Sequence, residues 1–202
     1  MKKSYYLTIC ADRYKMKSNQ INLRLLIEGC MKGNRKSQRR LYERYYGFGL
    51  KVCLRYSSNR QDATVILNDG FLRVFNKLEQ FDTSQTFEPW LRRILVHQAI
   101  DHFRSRKNKP GLIELKQLTA SKLTHLPPQD GPGDHSILFL VQQLPPMYRT
   151  VFNLYVMEEY KHDEIAEKLN ISASTSRSNL SRAKEILRDL HQKSKSRGIK
   201  FN

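Results

Sequence analysis

Apolar residues recur along this chain at spacings of three and four, and no stretch sustains the alternation that a half-buried strand requires. Leu25, Leu26, Cys30 and Met31 predict a short amphipathic helix that ends near Gly33. Leu41, Tyr45, Phe48, Val52 and Tyr56 predict a longer helix with a basic outer face. Gly47 and Gly49 weaken its middle by about a kcal/mol each. Asp62 is expected to open a third helix, with Val65, Ile66, Phe71, Leu72, Phe75 and Leu78 as its apolar positions. A fourth follows Glu88 and Pro89, proline being well suited to a first helical turn. Its stripe is Trp90, Leu91, Ile94, Leu95, Ala99, Ile100 and Phe103. Between the third and fourth lies a polar loop with an aromatic at each end, Phe81 and Phe87.

The pattern breaks after Lys107. Pro110, Gly111, Pro127, Pro128, Gly131, Pro132 and Gly133 cannot continue a helix and predict a tether, with a short helical piece near Ile113 to Leu118. A second helical block opens near Asp134. Ile137, Leu138, Val141 and Leu144 form one helix, Pro145 and Pro146 a corner, and Val151, Phe152, Leu154, Tyr155 and Met157 the next. The expected fold is therefore all-α, with two small helical domains joined by a flexible Pro/Gly-containing linker. The boundaries are a tail over 1–20, a first domain over 21–108, a linker over 109–133, a second domain over 134–192 and a basic tail over 193–202.

The second block ends in a helix-turn-helix pattern. Ile165, Ala166 and Leu169 share an apolar stripe on a helix opened by Asp163 and Glu164, which suit the positive end of its dipole. Asn170 stands at the turn, where Asn tolerates the left-handed conformation. Ile171 plugs the corner, and Ser172 or Ser174 can cap the next helix. Leu180, Ala183 and Leu187 continue the stripe. Ser174, Thr175, Arg177, Ser178, Ser181, Arg182 and Lys184 are left exposed on a helix suited to a major groove.

Composition narrows the chemistry. The 202 residues carry 36 Lys+Arg against 19 Asp+Glu, a formal charge of +17. Such an excess favours a polyanionic partner, and its scatter over several segments points to nucleic acid rather than a membrane-surface helix. The three cysteines, Cys10, Cys30 and Cys53, have no paired spacing, and the six histidines do not cluster. Neither a disulfide framework, a metal nor a cofactor is expected. The two lysines and short apolar run at the N-terminus are too brief for a signal peptide, and Met16 offers a second start. No stretch reaches the length of a membrane span, so a cytoplasmic protein without membrane insertion is expected.

A helical block, a tether and a small block ending in a helix-turn-helix resemble bacterial RNA polymerase sigma factors of the sigma-70 family, in their compact extracytoplasmic-function group. Three motifs carry the resemblance in order. DGFLRVFNKLEQFD, from Asp69 to Asp82, is similar to the family's motif for docking on the polymerase clamp. FEPWLRRILVHQAIDHFRSRK, from Phe87 to Lys107, is similar to its segment for recognising and melting the minus-ten element. LPPMYRTVFNLYVMEEYKHDEIAEKLNIS, from Leu144 to Ser172, resembles the start of its fourth domain, and LSRAKEIL, from Leu180 to Leu187, the close of its recognition helix.

The resemblance implies an initiation factor rather than an enzyme. Its partners would be core RNA polymerase, through the clamp coiled coil of the largest subunit and the flap, and promoter DNA, both duplex and single-stranded. The family also admits an anti-sigma factor as a partner. Asp69, Leu72, Arg73 and Asn76 would face the polymerase, Phe71 and Phe75 reading as core. Thr83, Ser84, Gln85 and Thr86 supply amides and hydroxyls that can pocket an opened base. Arg92, Arg93 and Arg104, with Arg106 and Lys107, are candidate phosphate contacts, and Gln98 a candidate base contact. Trp90 falls in the helical stripe and reads as core rather than as a stacking platform. Ser174, Thr175, Arg177, Ser178 and Ser181 would read the minus-thirty-five element, with Arg182 and Lys184 on phosphates.

This chain departs from the family pattern at Ser176, where an apolar residue is usual, and at Asn179, where a basic one is. Ser176 is expected to loosen the helix packing. Asn179 removes a phosphate contact or offers an amide that can pair with adenine. Two other readings compete. A stand-alone helix-turn-helix regulator would leave the segment from Phe71 to Phe103 without a purpose beyond core. An enzyme acting on nucleic acid would need clustered carboxylates, and Asp62, Asp69 and Asp82 are dispersed.

Overall fold

The structure is a computed structural model that describes residues 23–107 and 137–196. The N-terminal tail, the tether with its helical piece near Ile113 to Leu118, and the end of the basic tail lie outside the described residues. Within them, all regular structure is helical. None of the described helices is long and apolar enough to cross a membrane.

The first unit begins with α1 (23–31) and a turn through Gly33, whose φ of 72° suits glycine. Asn34 caps α2 (Arg35–Leu54), its Oδ1 accepting from Lys36 N at 2.9 Å and Ser37 N at 3.2 Å. α3 (Arg60–Lys77) is capped by Asn59, whose side chain accepts from Asp62 N at 2.8 Å. Asp62 therefore lies in the first turn instead of opening the helix, because Asn59 offers the capping oxygen earlier. A single 3-10 turn, Leu78–Gln80, leads to the polar loop, and α4 (Phe87–Lys107) follows.

Helices α2, α3 and α4 pack mutually around Leu41, Tyr45, Leu67, Phe71, Val74, Leu91 and Leu95. Two glycines set how closely they approach. A Cβ at Gly49 would meet Leu67 Cδ1 at 2.6 Å, and one at Gly70 would collide with Leu95 Cδ2. The helical period was legible, but the buried arc is narrower than the apolar stripe. Leu25 (62% exposed), Met31, Val65 and Leu72 (63% exposed) stay in solvent, while Ile27 takes the place expected of Leu25. Three helices around one centre can bury only part of each circumference.

The second unit comprises α5 (Ile137–Gln142), α6 (Pro146–Val156), α7 (His162–Leu169) and α8 (Ala173–Ser196). Pro146 opens α6, where a missing N–H costs nothing. Val151, Leu154, Ile165, Leu169 and Leu180 join the same buried cluster as the first unit. The units are in direct contact, with α4 packed against α7.

Candidate nucleic-acid interface

The helix-turn-helix forms through short-range chemistry. Lys161 N donates to Glu164 Oε2 at 2.7 Å, so the carboxylate satisfies an amide that precedes the first turn of α7. Asn170 ends that helix with φ 50° and ψ 59°, the left-handed conformation expected of it. Ile171 N then donates back to Ala166 O at 3.1 Å, matching the bond of a Schellman stop. Ser172, the first of the two expected caps, accepts from Thr175 N at 3.0 Å and opens α8.

One face of α8 is buried and the other exposed, as the spacing requires. Ser176, Asn179, Leu180 and Ala183 point inward. Ser174, Thr175, Arg177, Ser178, Ser181, Arg182 and Lys184 are all exposed. Ser178 donates its hydroxyl to Thr175 O at 3.0 Å, and Arg182 Nη1 donates to Tyr148 Oη at 3.2 Å. That phenol orients the guanidinium and raises its pKa.

Both departures from the family pattern turn out to be interior. Ser176 is fully buried, with its Oγ 2.9 Å from His162 Nδ1. His162 in turn stacks on Tyr155, ring centroids 4.6 Å apart. The hydroxyl thus joins the two helices rather than loosening them. Asn179 is only 8% exposed and faces the protein, away from the exposed face of α8. A rotation of one position along a helix turns a side chain by about 100°, enough to exchange groove for core.

The polar loop builds a concave site. Phe81 and Phe87 are buried at its two ends, their rings 5.3 Å apart and nearly perpendicular. Trp90 packs on both, as its stripe position foretold, and the Tyr45 ring meets Phe87 at 4.7 Å with the planes tilted by 45°. The Asp82 carboxylate accepts from Ser84 N at 2.9 Å and Gln85 Nε2 at 3.2 Å. Those donors hold its pKa below the ordinary carboxylate value, the Ser84 amide first. Above this base lies a cavity of about 380 Å³, lined by Thr83, Ser84, Gln85 and Thr86 on one side. Leu23, Arg24, Arg44 and Tyr45 line the other, and sequence reasoning missed them. Arg44 beside Tyr45 was visible as a basic and aromatic pair on α2. That α1 and α2 stand opposite the loop was not.

The arginines of α4 divide. Arg93 is exposed to solvent. Arg92 is bound to the second unit, its Nε 2.9 Å from Glu158 Oε2 and its Nη2 donating to Met157 O at 3.1 Å. Arg104 Nη2 donates to Glu167 O at 3.1 Å, and Arg106 pairs with Asp62 at 2.6 Å. The Lys107 side chain lies outside the described residues. Gln98 is only 8% exposed and donates to Asp69 Oδ2 at 3.3 Å. It braces α4 on α3 and does not face a base, a correction that again follows from a position one step inside the solvent arc.

On α3, Val65, Asp69, Leu72 and Asn76 follow one another at intervals of four, three and four, hence along one stripe. Val65 and Leu72 are exposed apolar groups there. Arg73 sits beside them, bound to Asp101 at 2.7 Å. Asp69 is half-buried and held by Gln98 rather than freely exposed. An apolar centre with a polar rim suits a protein partner.

Comparison with known proteins sorts these surfaces. Residues 41–109 match the family described as sigma-70 region 2, and residues 134–187 match the family described as sigma-70, region 4. ECF RNA polymerase sigma factor SigW of Bacillus subtilis is 31% identical over 154 residues, covering 68% of this chain and 80% of its own. ECF RNA polymerase sigma-E factor of Haemophilus influenzae is 25% identical over 181 residues, covering 84% of this chain and 95% of its own. The first matched region holds the polar loop with Arg44 and Tyr45, while Leu23 and Arg24 of the cavity precede it, and the second holds the helix-turn-helix through residue 187.

Proposed function

Since this chain belongs to the extracytoplasmic-function group of the sigma-70 family, we propose that each surface described above has one task in starting transcription. The protein is a sigma factor: it binds core RNA polymerase, directs it to particular promoters and promotes melting of the DNA there. The observation that carries this is the occurrence of both sigma regions, in order, in one chain. A stand-alone helix-turn-helix regulator would account for only the second.

The exposed stripe of Val65, Leu72 and Asn76, rimmed by Asp69 and Arg73, docks on the clamp coiled coil of the largest polymerase subunit. The cavity between the polar loop and Arg24, Arg44 and Tyr45 receives a base turned out of the duplex. Hydroxyls and the Gln85 amide meet the hydrogen-bonding edge of that base, while Arg24 and Arg44 lie where a phosphate would pass. Melting is driven by this capture and requires no bond-breaking chemistry, so the protein acts without catalysis of its own. Arg93, Arg92 and Arg104 neutralise the backbone beside the opened segment. Arg177, with Ser174, Ser178 and Ser181, reads base edges of the minus-thirty-five element, and Arg182 and Lys184 hold its phosphates. The site of action is the cytoplasm, where core polymerase and promoter DNA meet.

Run-off transcription with core enzyme on genomic fragments tests the whole reading. Promoter-dependent transcripts that appear only when the chain is added are expected. Gln85→Ala is expected to lose open complex while still binding core polymerase. A chain that fails to bind core polymerase would sink the proposal.

A further inference from the structure

Helix α2 buries Leu41, Tyr45, Gly49 and Val52 on one side, and cations crowd the other. Its 20 residues hold Arg35, Lys36, Arg39, Arg40, Arg44 and Lys51 against the single carboxylate of Glu43. Lys36, Arg40, Arg44, Gly47 and Lys51 follow one another at intervals of four, four, three and four, so they share a stripe. All five are exposed. Glu43, at the edge of the stripe, is paired with Arg39 at 2.7 Å. Among the described residues no carboxylate forms an ion pair with Lys36, Arg40, Arg44 or Lys51.

A face kept only for solubility mixes both signs of charge. Here one sign runs along the stripe, and it begins at the unfavourable end of the helix. The first turn of α2 carries Arg35 and Lys36 and no acidic residue, against the positive end of the helix dipole. Local rules broken in this way mark a functional surface.

The stripe passes the mouth of the loop cavity. Arg44 belongs to both, its Cζ 5.6 Å from the centre of the Tyr45 ring. Along the helix axis Lys36 lies about 12 Å from Arg44 on one side, and Lys51 roughly 10 Å on the other. Each step of four residues advances about 6 Å, close to the separation of successive phosphates on an extended single strand. The backbone of a duplex winds a full turn in about 34 Å, so it would leave a straight ridge about 22 Å long. We propose that this stripe is a phosphate track for the single strand whose base enters the cavity. Lys36 and Arg40 hold the strand on one side of the captured base, and Lys51 holds it on the other. The assignment rests on the sigma-factor reading. Gly47 leaves one gap among the cations, and an added Cβ there meets nothing within 4 Å.

The test is the salt dependence of binding, measured with polymerase holoenzyme on a labelled single-stranded oligonucleotide carrying the minus-ten element. Each phosphate contact on a single strand contributes about 0.7 to the slope of log affinity against log salt. The full-length triple variant Lys36→Gln, Arg40→Gln, Lys51→Gln is expected to lower that slope by about 2. Its circular dichroism and its binding to core polymerase should match the wild type. Gly47→Lys fills the gap and is expected to raise the slope by about 0.7, a gain that damage to the fold cannot imitate. Gln61→Lys adds the same charge at an exposed position of α3, off the stripe, and should leave the slope unchanged. An unchanged slope in the triple variant overturns the track, as does an equal rise for Gln61→Lys. Loss of core-polymerase binding in the triple variant alone would give the stripe to a protein partner, and overturns it too. If the wild type itself failed to bind core polymerase, the sigma-factor reading would fall. The track is then judged by the same slopes with the free chain on the same oligonucleotide.

Discussion

Gly47 and Gly49 occupy the same helix two residues apart, yet alanine should act oppositely at the two sites. At Gly49 the added methyl would lie 2.6 Å from Leu67 Cδ1, 3.2 Å from Leu95 Cδ1 and 3.7 Å from Phe71 Cε2. Leu67 and Leu95 are fully buried and have nowhere to move. Overfilling a packed core costs about 1–3 kcal/mol. Removing a mid-helix glycine returns about 0.5–1 kcal/mol, which leaves a net loss of up to about 2.5 kcal/mol. At Gly47 an added Cβ meets nothing within 4 Å. Only the propensity gain of about 0.5–1 kcal/mol remains there. Urea unfolding followed at 222 nm should therefore place the two midpoints on opposite sides of the wild type. The separation carries to function as well. Displacing α2 from α4 loosens Tyr45 against Phe87, the floor of the loop cavity, so open-complex formation should fall for Gly49→Ala and hold for Gly47→Ala. Two midpoints shifted in the same direction by the same amount would refute the argument that close approach governs Gly49.

Other consequences can be measured separately. Leu72→Asp changes an exposed side chain, so the protein should keep its thermal midpoint yet lose core-polymerase binding by at least about tenfold in a pull-down, if α3 is the docking stripe. Ser176→Ala removes the buried hydroxyl that meets His162 and should destabilise by about 1 kcal/mol, read from chemical denaturation. Equal stability would mean that the bond is not needed to join α7 and α8. The imidazole of His162 lies below its ordinary pKa of 6.5, held down by burial and then by Arg177 and Lys184. The unfolded chain therefore binds the proton more readily, and stability present above pH 6.5 is lost as pH falls through 6.5 toward the lower folded value. His97 shifts the same way through burial and the charge of Lys168. Unfolding free energy should decline from pH 7 to pH 5, and His162→Gln should shallow that decline.

How much of the site was legible in the chain depends on how local its physics is. The helix-turn-helix needs only neighbours: Asn170 in the left-handed turn, Ser172 as a cap, and apolar residues at three and four. Its exposed residues were therefore all placed correctly. Trp90, read as core from the same period, is half-buried and packs against the core. Gln98, Ser176 and Asn179 were misassigned because polar side chains on a helix flank can turn either way. Only a partner across the interface decides, Asp69 for Gln98 and His162 for Ser176. Leu25 and Val65 erred in the opposite sense, since apolar character does not reveal how wide an arc a three-helix unit can bury.

By itself the chain determined its period, its helix boundaries to within a few residues, its charge and the order of its motifs. These properties depend on residues a few positions apart and on composition. Tertiary structure decided what distance along the chain conceals: the wall of Leu23, Arg24, Arg44 and Tyr45 opposite the polar loop, and the seam that ties Arg92 to Glu158. Arg92 and Glu158 are 66 positions apart, and nothing in either local sequence announces the other. Hydrogen bonds between such partners exist only once two helices have been brought together, because the burial that aligns them is a property of the folded whole.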